Sequence, residues 1–259
     1  MKKFLSICAA FIFVGSIAYG QKGKEIVLGL GGALTSTSII NQNFYGEPEI
    51  DFAPKMGYGV QFTAGYYFNE YIAVVAEIQY SAQGQKYEGK QAFTDPNTGI
   101  AYNFTKVERD IKLSYLNIPL FFKYTFGTHK AKFRFLVGPQ LGYLLEATQD
   151  YIRDGKKIGT EITNLDGKDF VTDAGDITER FESIDFSFAL DVGTDIYFTK
   201  QLFLTAGFRG NYGFMDINAT AYRLNDISGE YSPSHNLWGG LYIGINYLID
   251  VQGYSQRSF

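Results

Sequence analysis

The sequence predicts an all-β protein: an eight-stranded antiparallel up-and-down transmembrane β-barrel with long extracellular loops and short periplasmic turns. Three observations carry that prediction. Apolar residues alternate with small or polar ones at period two over eight separate stretches, which marks strands rather than helices. The connections between the stretches alternate between long and short. Finally, 29 Gly, 20 Tyr and 23 Phe stand against only 6 Pro, a composition suited to closely packed aromatic strands.

The first strand, Ile26 to Ser36, sets Ile26, Leu28, Leu30 and Leu34 against Gly29, Gly31 and Ala33. The second, Met56 to Phe68, sets Tyr58, Val60, Phe62, Ala64, Tyr66 and Phe68 against Gly57, Gly59, Gln61, Thr63 and Gly65. The third starts at Tyr71 and opposes Ile72, Val74, Ala76, Ile78 and Tyr80 to Ala73, Val75, Glu77 and Gln79. In the fourth, Leu113 to Tyr124, Leu116, Ile118, Leu120, Phe122 and Tyr124 face away from Asn117, Pro119, Phe121 and Lys123. The fifth, Ala131 to Leu145, carries an unbroken apolar face from Phe133 to Leu145 opposite Lys132, Arg134, Leu136, Gly138, Gln140 and Gly142. The sixth, Ser183 to Thr199, opposes Phe186, Phe188, Leu190, Val192, Ile196 and Phe198 to Asp185, Ser187, Asp191, Gly193 and Asp195. The seventh, Gln201 to Asp216, opposes Leu202, Leu204, Ala206, Phe208, Tyr212 and Phe214 to Thr205, Gly207, Arg209 and Asn211. The eighth, Asn236 to Ile249, opposes Leu237, Leu241, Ile243, Ile245 and Tyr247 to Asn236, Trp238, Gly240, Tyr242, Gly244 and Asn246. The fourth and fifth each exceed the roughly 9–11 residues that a tilted strand needs to cross a bilayer.

Long connections follow the first, third, fifth and seventh strands, and tight ones follow the second, fourth and sixth at Asn69-Glu70, Gly127 to Lys130 and Lys200. All long loops therefore share one end, as outer-membrane barrels require. Two long loops carry turn signals. Residues 91–94 and 100–105 can close a hairpin over Asp95 to Gly99, and Asp154-Gly155 between short β-capable flanks is a type I′ signal. A soluble lipocalin-like barrel would alternate too, with its apolar side inward. Against it, the non-apolar face here is too small and too poor in charge to meet solvent. Aromatics also gather beside the short turns, at Tyr66 to Phe68, Tyr71, Tyr124, Phe126, Tyr197, Phe198 and Tyr247, where a membrane interface needs them.

If the apolar faces meet lipid, the opposite faces line a narrow lumen. They carry Glu77, Asp185, Asp191 and Asp195 against Lys123, Lys132, Arg134 and Arg209. The lumen of an eight-stranded barrel is just wide enough to be filled by side chains, so these charges are expected to neutralise one another in a structural network within a packed polar core.

Residues 1–20 read as a signal peptide. Lys2 and Lys3 precede an apolar core from Phe4 to Val14, and Ala18-Tyr19-Gly20 forms a small-x-small cleavage site. Residues 21–249 form the barrel domain and 250–259 a periplasmic tail, because Ser255 and Arg257 break the alternation before Phe259. The one cysteine, Cys8, falls in the signal peptide, so no disulfide or cysteine metal site is expected in the mature chain. With 23 basic and 27 acidic residues and no basic patch, nucleic-acid binding has no support.

No catalytic, cofactor or metal-binding set emerges, and no enzymatic activity is expected. Gly29-Leu30-Gly31-Gly32-Ala33-Leu34 starts like a dinucleotide fingerprint but has Leu34 at its last glycine position and no helix after it. Ser232, Ser234, His235 and Asn236 lie near the outer end, yet alternation turns Ser234 and His235 to opposite faces. The aspartates of the third loop do not follow the EF-hand spacing, and the bland reading is a wet loop.

The run Tyr115 to Tyr124 and the run Phe135-Leu136-Val137-Gly138-Pro139-Gln140-Leu141-Gly142-Tyr143 resemble the mid-barrel signature of the PorT-like outer-membrane barrels of Bacteroidota, grouped with the porin family. The resemblance covers nearly all the mature chain. It implies a Gram-negative outer membrane and leaves function open, since PorT itself is linked to type IX secretion. The expected partners are outer-membrane lipid and envelope or secretion-complex proteins around a monomeric barrel. The expected role is structural or interactive, through the outer loops or an envelope complex. A PorT-like secretion factor, a small-solute channel and a lipid-modifying enzyme are the alternatives.

Overall fold

The computed structural model describes residues 24–40, 50–94, 101–158, 161–165, 168–172, 174–223, 225 and 229–251. Both ends of the chain, with the expected signal peptide and most of the expected tail, lie outside these residues. Eight long strands dominate: β1 Glu25–Ile40, β2 Lys55–Tyr67, β3 Ile72–Thr94, β4 Ala101–Gly127, β5 Ala131–Arg153, β6 Ile184–Tyr197, β7 Leu202–Gly213 and β8 His235–Asp250. Each pairs antiparallel with its neighbour in sequence, and β8 pairs with β1, so the ring closes with no free edge through the membrane. Following paired residues once round the ring leads from Ile26 through Tyr66, Val74, Phe122, Val137, Leu190, Gly210 and Gly239 to Ser36. The return lies ten residues up the same strand, a shear of ten for eight strands, so the strands tilt strongly.

The alternation divides as the membrane requires. Leu30, Leu34, Val60, Ile78, Phe133, Leu241 and Ile243 are each more than half exposed, while the opposite faces are buried. Apolar outside and filled inside inverts a lipocalin and fits lipid. Among the described residues no helix is long and apolar enough to cross a membrane. The short turns are fixed locally. Asn69 Oδ1 accepts from the amides of Tyr71 and Ile72, at 2.8 and 2.9 Å, and Thr199 Oγ1 accepts from the amide of Leu202 at 2.8 Å.

At the other end the strands outrun the bilayer unevenly. β3, β4 and β5 have 23, 27 and 23 residues, against 12 to 16 for the other five. They rise together as a blade above the mouth, flanked by short strands Ile50–Ala53 on β3 and Lys156–Ile158 on β5. The Asp154-Gly155 turn has both residues at positive φ, +47° and +74°, the type I′ hairpin that an Asp-Gly pair favours. Phe93 pairs with Tyr102 and Thr94 with Ala101, while the expected Asp95–Gly99 turn lies outside the described residues.

The fifth strand departs from the expectation. The sequence ends the spanning stretch at Leu145, puts Glu146 to Glu182 in a connection and marks a separate β-capable flank before Asp154-Gly155; in the structure that flank is the upper end of β5, which runs unbroken to Arg153. Ser114 pairs with Glu146 and Tyr115 with Leu144, leaving Leu145 as an extra residue in a β-bulge. Below the bulge Gln140, Gly142 and Leu144 point inward; above it Ala147, Gln149 and Tyr151 do. The shift by one breaks the period-two pattern just where the strand leaves the membrane, and so hides its continuation.

Candidate functional site in the barrel lumen

Six of the eight inward charges meet. Arg209 on β7 grips Glu77 on β3 with a fork, Nη1 to Oε2 at 2.5 Å and Nη2 to Oε1 at 3.1 Å, and its Nε donates to Asp191 on β6 at 2.9 Å. Arg134 on β5 donates through Nη2 to both oxygens of Asp191, at 2.5 and 2.6 Å, and its Nε lies 3.9 Å from Asp195. Lys123 on β4 completes the row, its Nζ 2.6 Å from Asp195 Oδ2. Three acids and three bases from five strands form one connected, neutral set. Asp191, Asp195 and Arg209 have no solvent exposure.

Uncharged partners fill the remaining valences. Thr205 Oγ1 donates to Asp195 at 2.7 Å and accepts from Asn246 Nδ2 at 2.9 Å, and Thr63 Oγ1 donates to Glu77 at 3.3 Å. The Arg209 guanidinium lies 4.6 Å from the ring centre of Tyr242 and 5.0 Å from that of Phe121; Lys123 lies 5.3 Å from Tyr67 and 5.4 Å from Phe203. Aromatic faces so placed take up positive charge that water would otherwise solvate. Alternation placed Tyr242 and Thr205 inward, but nothing in their residue types marked them as members of a charge network.

The other two charges lie apart. Lys132 sits at the periplasmic rim, where its Nζ meets the backbone oxygen of Glu70 at 3.3 Å and the carboxylate of Glu70 at 3.7 Å. Asp185 lies towards the outer end, where Asn236 Nδ2 donates to its Oδ2 at 2.9 Å and to the Tyr115 hydroxyl at 3.2 Å. All eight share the inward face, but Lys132, although the registered neighbour of Asp195, turns to Glu70 at the rim, and Asp185 lies six residues above Asp191 on the same strand.

The expectation of a polar core throughout is also corrected. Val27, Tyr67, Ala73, Val75, Tyr197, Phe203 and Leu248 form an apolar layer at the periplasmic end that reaches up to Phe121, Leu136 and Ala189. At the outer end Ile39, Tyr87, Ile111, Leu113, Tyr115, Leu144 and Ala147 are joined by Ile177, Phe181 and Ile217 from the last two long loops. Those loops are pinned over the mouth. Phe181 bridges to Asn218, and Asp216 accepts from the amides of Asn218 and Ser234 and from the Tyr231 hydroxyl at 2.5 Å. Loop residues carry no periodicity, so the sequence offered no signal for this roof.

The other candidates disperse. Ser234 is buried and bonds Asn218 Nδ2 at 2.9 Å, while the Nδ1 of His235 donates to the Met215 carbonyl at 3.0 Å on the other side of the strand. Gly29 to Leu34 lies inside β1. Among the described residues no group of His, Cys, Asp or Glu could hold a metal ion. On the blade, Asp150 bonds Lys112 Nζ at 2.5 Å and pairs with Lys157, and Glu108 bonds Lys106 at 2.7 Å and pairs with Lys86 at 3.3 Å. Hydrogen bonds from Lys112 and Lys157 hold the Asp150 carboxyl below the ordinary aspartate range, and those from Lys106 and Lys86 lower that of Glu108.

Residues 19–219 match the family described as outer membrane protein beta-barrel domain. No curated protein matches the chain. Solved structures with a similar course include the following three. Neisserial surface protein A is 14% identical with a TM-score of 0.37, and the match covers 87% of this chain and 99% of that one. Ail, the attachment invasion locus protein of Yersinia pestis, is 12% identical with a TM-score of 0.40, covering 88% and 100%. OprG from Pseudomonas aeruginosa is 12% identical with a TM-score of 0.37, covering 89% and 98%.

Proposed function

The chain belongs to the outer membrane protein β-barrel domain family and lies in the outer membrane, and from that premise we propose that it acts as a closed, non-conducting barrel whose blade of β3, β4 and β5 binds other envelope proteins. The occluded lumen carries this reading. A row of mutually paired charges crosses the bore, apolar layers close the lumen towards both ends, and an ion passing through would have to break buried pairs. The blade is the part built beyond what spanning a membrane needs. Its action is by contact rather than catalysis, and the barrel works as a monomer. Envelope partners that include secretion machinery, as the PorT-like resemblance implies, are the first to seek.

Reconstitution into planar bilayers tests the closed barrel: no unitary conductance above the lipid baseline is expected, and a steady open level would sink it. Crosslinked purification from native outer membrane tests the blade. A specific envelope protein is expected to co-purify with the full chain and to be lost when residues 86–112 are shortened to a tight turn. Recovery of the barrel alone would remove the partner reading.

A further inference from the structure

Between the ion-paired row and the apolar roof lies a layer of polar side chains that find too few partners. Gln61 pairs in register with Gln79, Gln79 with Asn117, Asn117 with Gly142, and Gly142 with Asp185. Strand tilt makes this row climb from beside Glu77 to beneath the roof. Trp238 is the next inward residue below Asn236, the partner of Asp185. These side chains are at least nine-tenths buried. Yet both polar atoms of the Gln61 side chain, Gln79 Oε1, Asn117 Nδ2, Asp185 Oδ1 and Trp238 Nε1 have no hydrogen-bond partner in the protein.

One or two such atoms are common in a native interior; a group along one inward row of one lumen is not. They include donors and acceptors in equal number, three of each, so a ligand that satisfies them must both give and accept hydrogen bonds. Asp185 adds a carboxyl group that no Lys or Arg among the described residues pairs with, and its buried Oδ1 needs a partner where it sits. The apolar roof lies above this layer and the charged row below it. We propose that this layer is a sealed chamber that binds a cluster of water molecules, bridging Gln61, Gln79, Asn117, Asp185 and Trp238 and solvating the Asp185 carboxylate. Water alone is small enough, uncharged, and both donor and acceptor.

Trp238 is the only tryptophan, so the indole N–H is a single reporter. The full barrel, ¹⁵N-labelled at tryptophan and folded into phospholipid nanodiscs, is examined by water-selective NOE and ROE transfer to that proton. Transfer of opposite sign in the two experiments is expected, the mark of water that stays beside the indole longer than nanoseconds. Adding a soluble gadolinium chelate should leave the relaxation of the indole proton unchanged. Absence of transfer would show a dry layer, transfer of equal sign would show only proton exchange, and relaxation by the chelate would show an open bore; each would overturn the proposal.

Discussion

Arg209 binds two carboxylates from different strands, Glu77 and Asp191, and all three are buried, Arg209 and Asp191 completely. Replacing it by methionine keeps much of the volume but strands the buried Glu77 and leaves Asp191 with Arg134 alone, so Arg209→Met is expected to cost about 3–5 kcal/mol in urea unfolding from lipid vesicles. A loss under about 1 kcal/mol would mean that the pair behaves as a solvated surface bridge. The blade's ion pairs obey a different rule because they are wet. The carboxyl of Asp150 is lowered in the folded state, so the stabilisation it brings is complete above the unfolded aspartate value of roughly 3.9 and drains away as pH falls through the lower folded value. Amide exchange at the outer ends of β4 and β5 should therefore rise between about pH 4 and pH 2 while the membrane-embedded amides stay protected. Equal exchange at both pH values would remove Asp150 from the account. Nothing in either residue's neighbours along the chain separates these two kinds of pair; burial does.

Among the elements, the β4–β5 hairpin shows how a ladder tolerates proline. Pro119 and Pro139 both lie in the spanning part, where a missing N–H should exclude them. The registered pairs step from Pro119 with Gln140 directly to Phe122 with Val137, so the ladder is interrupted between them. There the backbones come unusually close: a Cβ at Gly138 would lie 1.9 Å from the carbonyl oxygen of Leu120. Gly138→Ala is thus expected to cut the folded fraction severely in a refolding assay read by heat-modifiable gel mobility, whereas Gly155→Asn, at a positive φ in open space, should leave it near wild type. Similar yields for the two variants would refute the close approach as the cause. The motif Gly138-Pro139-Gln140 was visible in the sequence; the reason for its glycine was not, because that lies on the neighbouring strand.

For the whole molecule, the lipid-facing belt sets the strictest demand on substitution. Leu241 is 70% exposed and near the middle of β8, so in water it would be an ordinary surface residue. In a bilayer Leu241→Arg should destabilise the barrel by about 2–4 kcal/mol, measured by denaturant titration in phospholipid, and the same change near the periplasmic end at Ile249 should cost about 0–1 kcal/mol. Equal costs at the two depths would argue that the belt does not sit across a membrane as its exposure pattern indicates.

The sequence by itself determined the strand count, which face of each strand points outward, the end that carries the long loops, and the closed barrel in the outer membrane. These follow from period two and from loop length, both of which are local properties of the chain. It also placed all eight charges on the inward faces. Only the tertiary structure decided that Glu77, Arg209, Asp191, Arg134, Asp195 and Lys123 join while Lys132 and Asp185 do not: Arg209 reaches across the bore to Glu77, whereas Lys132, in register with Asp195, is held by Glu70 at the rim. The same holds for the bulge that carries β5 past the membrane and for the roof of Ile177, Phe181 and Ile217, whose contacts join residues far apart in the chain. Alternation tells a side chain which way to face; the register between strands, which no single strand encodes, decides what it meets.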